Sequence, residues 1–378
     1  MNRISRLLAL LAVIGVIAAA VSGCGSSGGD SSTVTRGAAG EADPSWGIAA
    51  VSQAGRYGAV NILRCTAGGD PSCSTLDGAM GPIRQMVMDD DGPLFAGTFN
   101  GDVLRCDPYR PTSCDAIGKV PGITSIAASA LGTDDGTPSV YLGTTVGYEG
   151  AKGDIWRCPQ ATANAKCRNV GRPRPGDFVA SLAIMDRSVF AGLGDGRILK
   201  CTTGAPTSTC TTFATPGGAI QALDVFRDRL GVATDTGVVW TCTQGESGTG
   251  DCTKVTSLPD ARATAVALYG DTVFAGFALD NPDARGLSGA VVMCEQDAQC
   301  TPVALPDPVA DPKEGDPSTA PVLALVAASD DNLWVGQGTA DSFRGQGAIS
   351  MCPFQGTCTT KWSDPGAGIT AMTEVPSQ

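Results

Sequence analysis

Three short apolar phrases follow one another along the chain, and the first full set lies between residues 83 and 106. Residues 83–88 (IRQMVM) carry apolar side chains at the first and fourth positions, residues 94–98 (LFAGT) are apolar up to a glycine, and residues 101–106 (GDVLRC) end in a cysteine. Phrases of these three kinds recur in the same order as far as residue 352. Such short runs of apolar and small residues, bounded by Gly, Asp and Pro, predict strands that are covered on both faces.

Cysteines mark the end of each set. Fourteen of the fifteen cysteines fall into seven successive local pairs. The pairs are Cys65 with Cys73, Cys106 with Cys114, Cys158 with Cys167, Cys201 with Cys210, Cys242 with Cys252, Cys294 with Cys300, and Cys352 with Cys358. Two antiparallel strands joined by a short loop bring facing Cα atoms to about 4.5–5.5 Å, a separation that a disulfide tolerates. Each pair is therefore predicted to link the two strands of a hairpin. Metal binding is the alternative interpretation, but the chain has no C-x-x-C knuckle and no histidine, so no metal is predicted.

The spacing of the repeat predicts the architecture. Successive first cysteines lie 41 to 58 residues apart, and four strands in forty-odd residues is the period of a β-propeller blade. The set before Cys65 lacks an inner phrase, whereas residues 369–374 (ITAMTE) supply one after the last cysteine pair. We therefore predict an all-β, seven-bladed β-propeller with four antiparallel strands per blade, one disulfide per blade, and a C-terminal strand that completes the N-terminal blade. An open solenoid is the alternative.

This closure resembles the "velcro" closure that is common in β-propellers, and the resemblance covers about residues 46–375. The phrasing FAGT…G-x-(I/V)-x-(R/K) looks like the repeat style of sialidases and sortilins, although their Ser-x-Asp box is replaced here by the disulfide hairpin. The marks of WD40, kelch and Y-W-T-D repeats are absent. The resemblance implies the architecture and no glycosidase activity.

The N-terminus has the pattern of an export signal. Two arginines precede an apolar stretch over residues 7–21, and the sequence Val-Ser-Gly that leads into Cys24 resembles the lipobox of bacterial lipoproteins. The resemblance implies cleavage before Cys24 and a lipid on its sulfur, which predicts an extracytoplasmic protein that is anchored to a bacterial membrane. The predicted parts are a signal peptide (1–23), a lipidated flexible tether (24–45) and the propeller (46–378). An ordinary secretory signal with an incidental cysteine is the alternative.

Composition and charge exclude several functions. Fifty glycines and 5% aromatic residues suit short strands joined by turns, and 42% hydrophobic residues are enough to build a core. A net charge of -12 without a run of Lys or Arg disfavours nucleic-acid binding. The absence of histidine removes Ser-His and Cys-His nucleophiles and an imidazole base. No cofactor is predicted.

Long connections are the best candidates for a binding surface. Most connections from second to third strands, and from fourth strands to the next blade, are minimal, but four are long. They are residues 145–154, 278–289, 306–321 and 338–347. Loops that extend from a rigid scaffold commonly carry binding, and aromatic and arginine side chains dominate hot spots. The candidate contacts are Tyr148, Arg285, Phe343 and Arg344, and tolerated surface growth without a partner is the alternative.

The predicted function is a binding or assembly scaffold for an envelope protein or surface ligand. The alternative is a metal-dependent hydrolase or lactonase in the central channel, where the inner phrases place two acidic residues, Asp224 and Glu374. Aspartates also recur between first and second strands, as at 89–92 (DDDG). They suit tight turns better than a calcium site.

Overall fold

The computed structural model describes most of the chain after residue 45. The described residues are 46–53, 60–66, 73–76, 83–89, 92–107, 110–129, 137–145, 153–160, 166–173, 177–202, 209–281, 286–295, 299–306, 320–338, 347–364 and 368–376. Cys24, the predicted signal peptide and the predicted tether lie outside them.

The described residues form 28 strands, which alternate with short turns. The first fourteen are β1 (Trp46–Gln53), β2 (Val60–Thr66), β3 (Cys73–Leu76), β4 (Ile83–Met88), β5 (Leu94–Thr98), β6 (Asp102–Asp107), β7 (Arg110–Lys119), β8 (Ile123–Ser129), β9 (Ser139–Thr144), β10 (Ile155–Pro159), β11 (Arg168–Gly171), β12 (Val179–Met185), β13 (Ser188–Leu193) and β14 (Ile198–Thr202). The others are β15 (Thr209–Ala214), β16 (Ile220–Phe226), β17 (Arg229–Thr234), β18 (Val238–Gln244), β19 (Gly250–Ser257), β20 (Ala261–Tyr269), β21 (Thr272–Asn281), β22 (Gly286–Cys294), β23 (Thr301–Val303), β24 (Val322–Ala327), β25 (Asn332–Gln337), β26 (Gly347–Pro353), β27 (Thr359–Asp364) and β28 (Gly368–Pro376).

These strands make seven four-stranded antiparallel sheets, so the predicted seven-bladed propeller is confirmed. Blade 1 has the order β28-β1-β2-β3, and blades 2 to 7 each use four consecutive strands, from β4–β7 to β24–β27. The C-terminal strand pairs with β1 from Trp46↔Pro376 to Gln53↔Gly368, with an irregularity after Val51. The predicted closure is therefore also confirmed, and the open solenoid is wrong.

The apolar core lies between the blades. The described residues form seven buried clusters, and each cluster draws on two neighbouring sheets. For example, Tyr141 and Ile155 of blade 3 pack with Leu182, Val189 and Cys201 of blade 4. Because each sheet packs on both faces, the inner strands need apolar side chains on both sides, which explains their continuous phrases.

The glycine of the second-strand phrase makes room for the next blade. A Cβ on that glycine would collide with the β-branched side chain that begins the neighbouring inner strand. The distances from an ideal Cβ are 2.8 Å from Gly97 to Ile123 Cγ2, 2.4 Å from Gly192 to Ile220 Cγ2, 2.5 Å from Gly276 to Val322 Cγ1, and 2.6 Å from Gly336 to Ile369 Cγ2. In blade 5 the glycine of the second-strand phrase is replaced by Ala233. The facing residue, which begins the inner phrase of blade 6, is Ala263, and both belong to the same buried cluster. A larger residue on one side is thus matched by a smaller one on the other.

Each blade carries one disulfide between its third and outer strands, as predicted. The bonds are Cys65–Cys73, Cys106–Cys114, Cys158–Cys167, Cys201–Cys210, Cys242–Cys252, Cys294–Cys300 and Cys352–Cys358. Their Cα–Cα distances run from 4.0 Å in Cys242–Cys252 to 4.3 Å in Cys158–Cys167, slightly shorter than the expected range for facing residues.

The disulfides also contribute to the interblade core. Cys201 and Cys210 of blade 4, for example, pack against Tyr141 and Ile155 of blade 3. Disulfides persist in oxidising compartments, so the disulfide in every blade indicates an extracytoplasmic location. The described part of the chain contains no helix with the length and apolar character needed to cross a membrane.

Candidate functional site

The propeller has two faces with different connections. Within each blade the strands alternate in direction, so the turns from inner to second strands and the disulfide hairpins share one face, here called the turn face. Connections from second to third strands and crossings to the next blade share the opposite face, here called the loop face. Asp186 and Arg187, which join β12 to β13 on the turn face, have φ angles of 47° and 62°. A two-residue hairpin with positive φ at both positions favours Asp and Asn, so this aspartate belongs to a turn, as the sequence predicts.

The four predicted contacts on the loop face cannot be compared with the structure. Tyr148, Arg285, Phe343 and Arg344 all lie outside the described residues. Their proposed role therefore stays a prediction. The long connections that carry them start and end on the loop face of blades 3, 6 and 7.

One of the long connections is largely a hairpin, which the sequence did not predict. Residues 278–289 were expected to form a loop, but β21 and β22 extend into them and pair as far as Asn281↔Gly286. In blade 2 the corresponding pairing ends at Gly97↔Val103. Blade 6 therefore presents a two-stranded ribbon that extends past the usual end of the blade. The interpretation failed because alternation of side chains is hard to recognise in a segment rich in Gly, Asp and Pro.

Phe178 is a loop-face residue that the sequence analysis missed. Its side chain is 38% exposed, and its ring lies so close to Gly194 that a Cβ there would meet ring carbons at 2.0 Å. Next to it in sequence, Asp177 forms an ion pair with Arg197, which also binds Asp195. An exposed aromatic ring is typical of protein contact surfaces, where aromatic residues are enriched. An aromatic residue just before an inner phrase was the available signal, but a single aromatic residue carries no periodic pattern.

A central channel runs between the seven inner strands, with a cavity volume of about 690 Å³. Its wall consists of four to six consecutive residues from each inner strand, which include Ser181, Leu223 and Ala265, together with Ser329. Inner strands are edge strands, so one side of each has backbone N–H and C=O groups without a partner strand. These groups must find hydrogen bonds elsewhere or face water.

Side chains from neighbouring blades bind several of these N–H groups. Ser181 Oγ accepts a hydrogen bond from Leu223 N at 3.0 Å, and Thr373 Oγ1 accepts one from Met88 N at 3.2 Å. Asp224 Oδ2 accepts one from Leu268 N at 2.7 Å. These bonds join blade 4 to blade 5, blade 1 to blade 2, and blade 5 to blade 6. They hold adjacent inner strands in register around the channel.

The two predicted channel carboxylates do line the channel wall. Glu374 Oε1 accepts hydrogen bonds from the backbone N and the Oγ of Ser329, at 2.9 and 2.6 Å. Asp224 is half-buried, and loss of hydration raises its pKa to about 6, against the smaller lowering effect of the N–H groups of Leu268 and Val225. Among the described residues that line the channel, these two are the only charged ones.

Replacement of Asp224 by Asn is expected to stabilise the protein at neutral pH. Because the folded-state pKa of Asp224 is raised, its ionised form is disfavoured in the fold, so stability falls as the pH rises from about 4 through about 6. Asn keeps the acceptor for Leu268 N and removes the charge. The difference in unfolding free energy between Asp224→Asn and wild type should therefore grow by about 2 kcal/mol from pH 4 to pH 7.5.

Chemical denaturation of both proteins at several pH values measures this difference. A difference that stays constant from pH 4 to 7.5 would contradict the assignment. Asp271→Asn, which changes an exposed turn-face aspartate, is the control and should show little pH-dependent difference.

Aromatic side chains lie at the turn-face end of the channel. Phe226 and Tyr269 end the inner strands of blades 5 and 6, line the channel, and have ring centroids 5.9 Å apart. Tyr269 also packs edge-on against Phe354, and the guanidinium of Arg227 lies 5.3 Å from the centre of the Phe226 ring. The sequence pattern did not predict this pair. Alignment of the seventh position of the inner phrases would have shown two aromatic residues in adjacent blades.

The described residues contain no group of three or more His, Cys, Asp or Glu side chains that could hold a metal ion. Asp224 and Glu374 belong to blades 5 and 1, and each binds N–H groups of a neighbouring blade. No specific observation in the described residues favours the channel-centred hydrolase.

Closed rings of seven four-stranded sheets define the seven-bladed β-propellers, and solved structures share this fold with the chain. A U3-55K structure matches at a TM-score of 0.54 and 14% identity, covering 79% of this chain and 86% of that chain. The WD40 repeats of RRP9 match at a TM-score of 0.55 and 14% identity, covering 82% and 88%. Hydrazine synthase of Kuenenia stuttgartiensis matches at a TM-score of 0.52 and 12% identity, covering 71% and 76%.

These similarities concern the fold alone. No protein-family model matches the chain, and no curated protein matches it. The similar structures include both WD40 repeats and an enzyme, so the fold does not select a function. The chain lacks the WD40 sequence marks, and its resemblance to the repeat style of sialidases and sortilins stays a prediction from the sequence.

Proposed function

We propose that the protein is an exported, lipid-anchored scaffold whose loop face binds an envelope protein or another surface ligand. The observation that carries the proposal is the difference between the two faces. The turn face carries a disulfide hairpin in every blade, whereas the long connections and the β21–β22 ribbon start from the loop face. Binding sites commonly form where connections vary on a rigid scaffold.

Two described features support the loop face as the contact surface. The ribbon at the end of β21 and β22 extends past the usual end of a blade. Phe178 presents an exposed ring at the start of the inner strand of blade 4, on the loop face. Aromatic and arginine side chains are enriched among residues that dominate binding energy. The proposed contacts Tyr148, Arg285, Phe343 and Arg344 belong to connections that start and end on this face.

The proposed anchor is a lipid on Cys24, with residues 24–45 as the tether. Each buried methylene contributes about 0.8 kcal/mol, and two or more acyl chains are needed for stable attachment to a membrane. A Gly- and Ser-rich tether allows the propeller to stand off the bilayer. Cys24→Ala should abolish metabolic labelling with a fatty acid and release the protein from the membrane fraction, and labelling that persists would refute the anchor.

The binding proposal is tested by photo-crosslinking in cells. A photo-reactive amino acid placed at 148, 178, 285 or 343 should give a crosslinked product of one defined mass, and placement at Arg187 or Asp271 on the turn face should not. Replacement of residues 280–287 by a short turn should reduce the product at least about fivefold, which corresponds to about 1 kcal/mol of binding free energy. Equal products from both faces, or none from the loop face, would overturn the proposal.

A further inference from the structure

The charge on Asp224 exceeds what the fold needs at that position. Thr373 occupies the same position in the inner strand of blade 1, and its hydroxyl binds Met88 N just as the carboxylate of Asp224 binds Leu268 N. A neutral hydroxyl therefore serves the structural role. A half-buried carboxylate without a cationic partner is costly, and such groups are found preferentially at functional sites.

The described residues that line the channel also supply no positive charge to compensate Asp224. The described lining residues include Asp224 and Glu374 and no Lys or Arg. Asp224 is on blade 5 and Glu374 is on blade 1, so the inner strands of blades 6 and 7 lie between them around the ring. Tyr269 and Ser329 line this part of the wall. Tyr269 Oη donates to Ser329 O at 3.5 Å, and Ser329 donates to Glu374. The wall thus forms one arc with an acidic group at each end and an aromatic ring within it.

The rim of this arc already holds a cation on an aromatic face. The guanidinium of Arg227 lies over the Phe226 ring, and Arg227 itself is exposed. Tyr269 stands beside Phe226 and presents a second ring at the channel wall. Aromatic faces attract ammonium and guanidinium groups because the ring face carries negative potential. The volume of about 690 Å³ is within the range of small-molecule sites.

We infer that the turn-face end of the channel binds a small organic dication, with one ammonium group at Asp224 and the other at Glu374. The ligand class is a linear molecule with two protonated amines, and its apolar linker lies along Tyr269. Each ammonium group binds its carboxylate beside the hydrogen bonds that Asp224 accepts from Leu268 N and Glu374 accepts from Ser329. This site is separate from the loop face, so it is independent of the scaffold proposal.

Binding is tested on the full-length protein by calorimetric titration with linear diamines from 1,3-diaminopropane to 1,8-diaminooctane. At least one diamine should bind with a Kd below about 1 mM, the matched 1-aminoalkane should bind at least about tenfold more weakly, and the matched diol should not bind. Magnesium chloride is titrated as an inorganic dication and should not compete. No heat with any diamine up to about 10 mM, or equal binding of the diol, overturns the inference.

Two variants connect binding to the named carboxylates. Asp224→Thr copies Thr373, so its hydroxyl should still accept the hydrogen bond from Leu268 N. The variant should unfold at a temperature no lower than that of wild type. Its affinity for the diamine that binds wild type most tightly should nevertheless fall at least about tenfold. Glu374→Gln should produce a similar loss. If both variants fold and bind the diamine as tightly as wild type does, the proposed site is wrong. The loop-face crosslinks should be unaffected, so the two proposals succeed or fail separately.

Discussion

Deletion of residues 368–378 should open the ring and remove most of the protein's stability. β28 supplies the inner strand of blade 1, and Ile369, Ala371 and Val375 are 0–3% exposed in two interblade clusters. Burial of a large apolar side chain contributes about 1.5–3 kcal/mol, and the deletion also leaves β1 as an unpaired edge. The expected loss of about 5 kcal/mol or more approaches the total stability of a typical domain.

Thermal unfolding followed by circular dichroism measures this effect, and deletion of residues 377–378 alone is the matched control. The shorter chain should unfold at least about 10 °C lower than the control or fail to remain soluble. A synthetic peptide of residues 366–378, added in trans, should restore part of the lost stability because its strand can pair with β1. An unfolding midpoint within about 3 °C of the control would show that closure by β28 contributes little.

Gly276→Ala should destabilise the protein by about 2–3 kcal/mol, although alanine normally favours order over glycine. The added Cβ would lie 2.5 Å from Val322 Cγ1, and Val322 is fully buried at the start of the blade 7 inner strand. A branched, buried side chain cannot move aside without disturbing the interface. The clash therefore exceeds the entropic benefit of removing a glycine.

Val322→Ala provides a matched suppressor. Alone, it should cost about 1–3 kcal/mol through the cavity that it creates. Combined with Gly276→Ala, it reproduces the Ala233 and Ala263 pair of the neighbouring interface, and the double variant should be more stable than the sum of the single losses by at least about 1 kcal/mol. Urea unfolding of the four proteins gives this coupling energy. Additive losses would show that the two side chains do not compete for the same space.

The propeller could be predicted from the sequence because the same local pattern is repeated seven times. Each repeat carries apolar strand phrases and a cysteine pair at hairpin spacing, so an error in one blade is corrected by the others. The surplus inner phrase at residues 369–374 predicted closure with β1, which the pairing from Gly47↔Val375 to Ser52↔Ile369 confirms. The placement of Asp224 and Glu374 at the channel followed from the same alignment.

The site was less predictable because it is formed by departures from the repeat. Residues 278–289 were expected to form a loop and instead continue the β21–β22 ribbon, since a strand can extend where cross-strand hydrogen bonds favour it without a clear apolar alternation. Phe178 and the Phe226–Tyr269 pair escaped notice because single aromatic residues at strand ends carry no periodic signal. Their importance depends on exposure and on neighbours from other blades.

The sequence by itself determined the number of blades, the position of the disulfides and the closure of the ring, because strand patterns and cysteine spacing act over a few residues. Only the tertiary structure decided which residues meet between blades. Gly276 faces Val322, and Asp224 binds Leu268 N, across separations of more than forty residues. Such contacts are fixed by the packing of whole sheets around the channel, so the pattern of a single strand does not contain them.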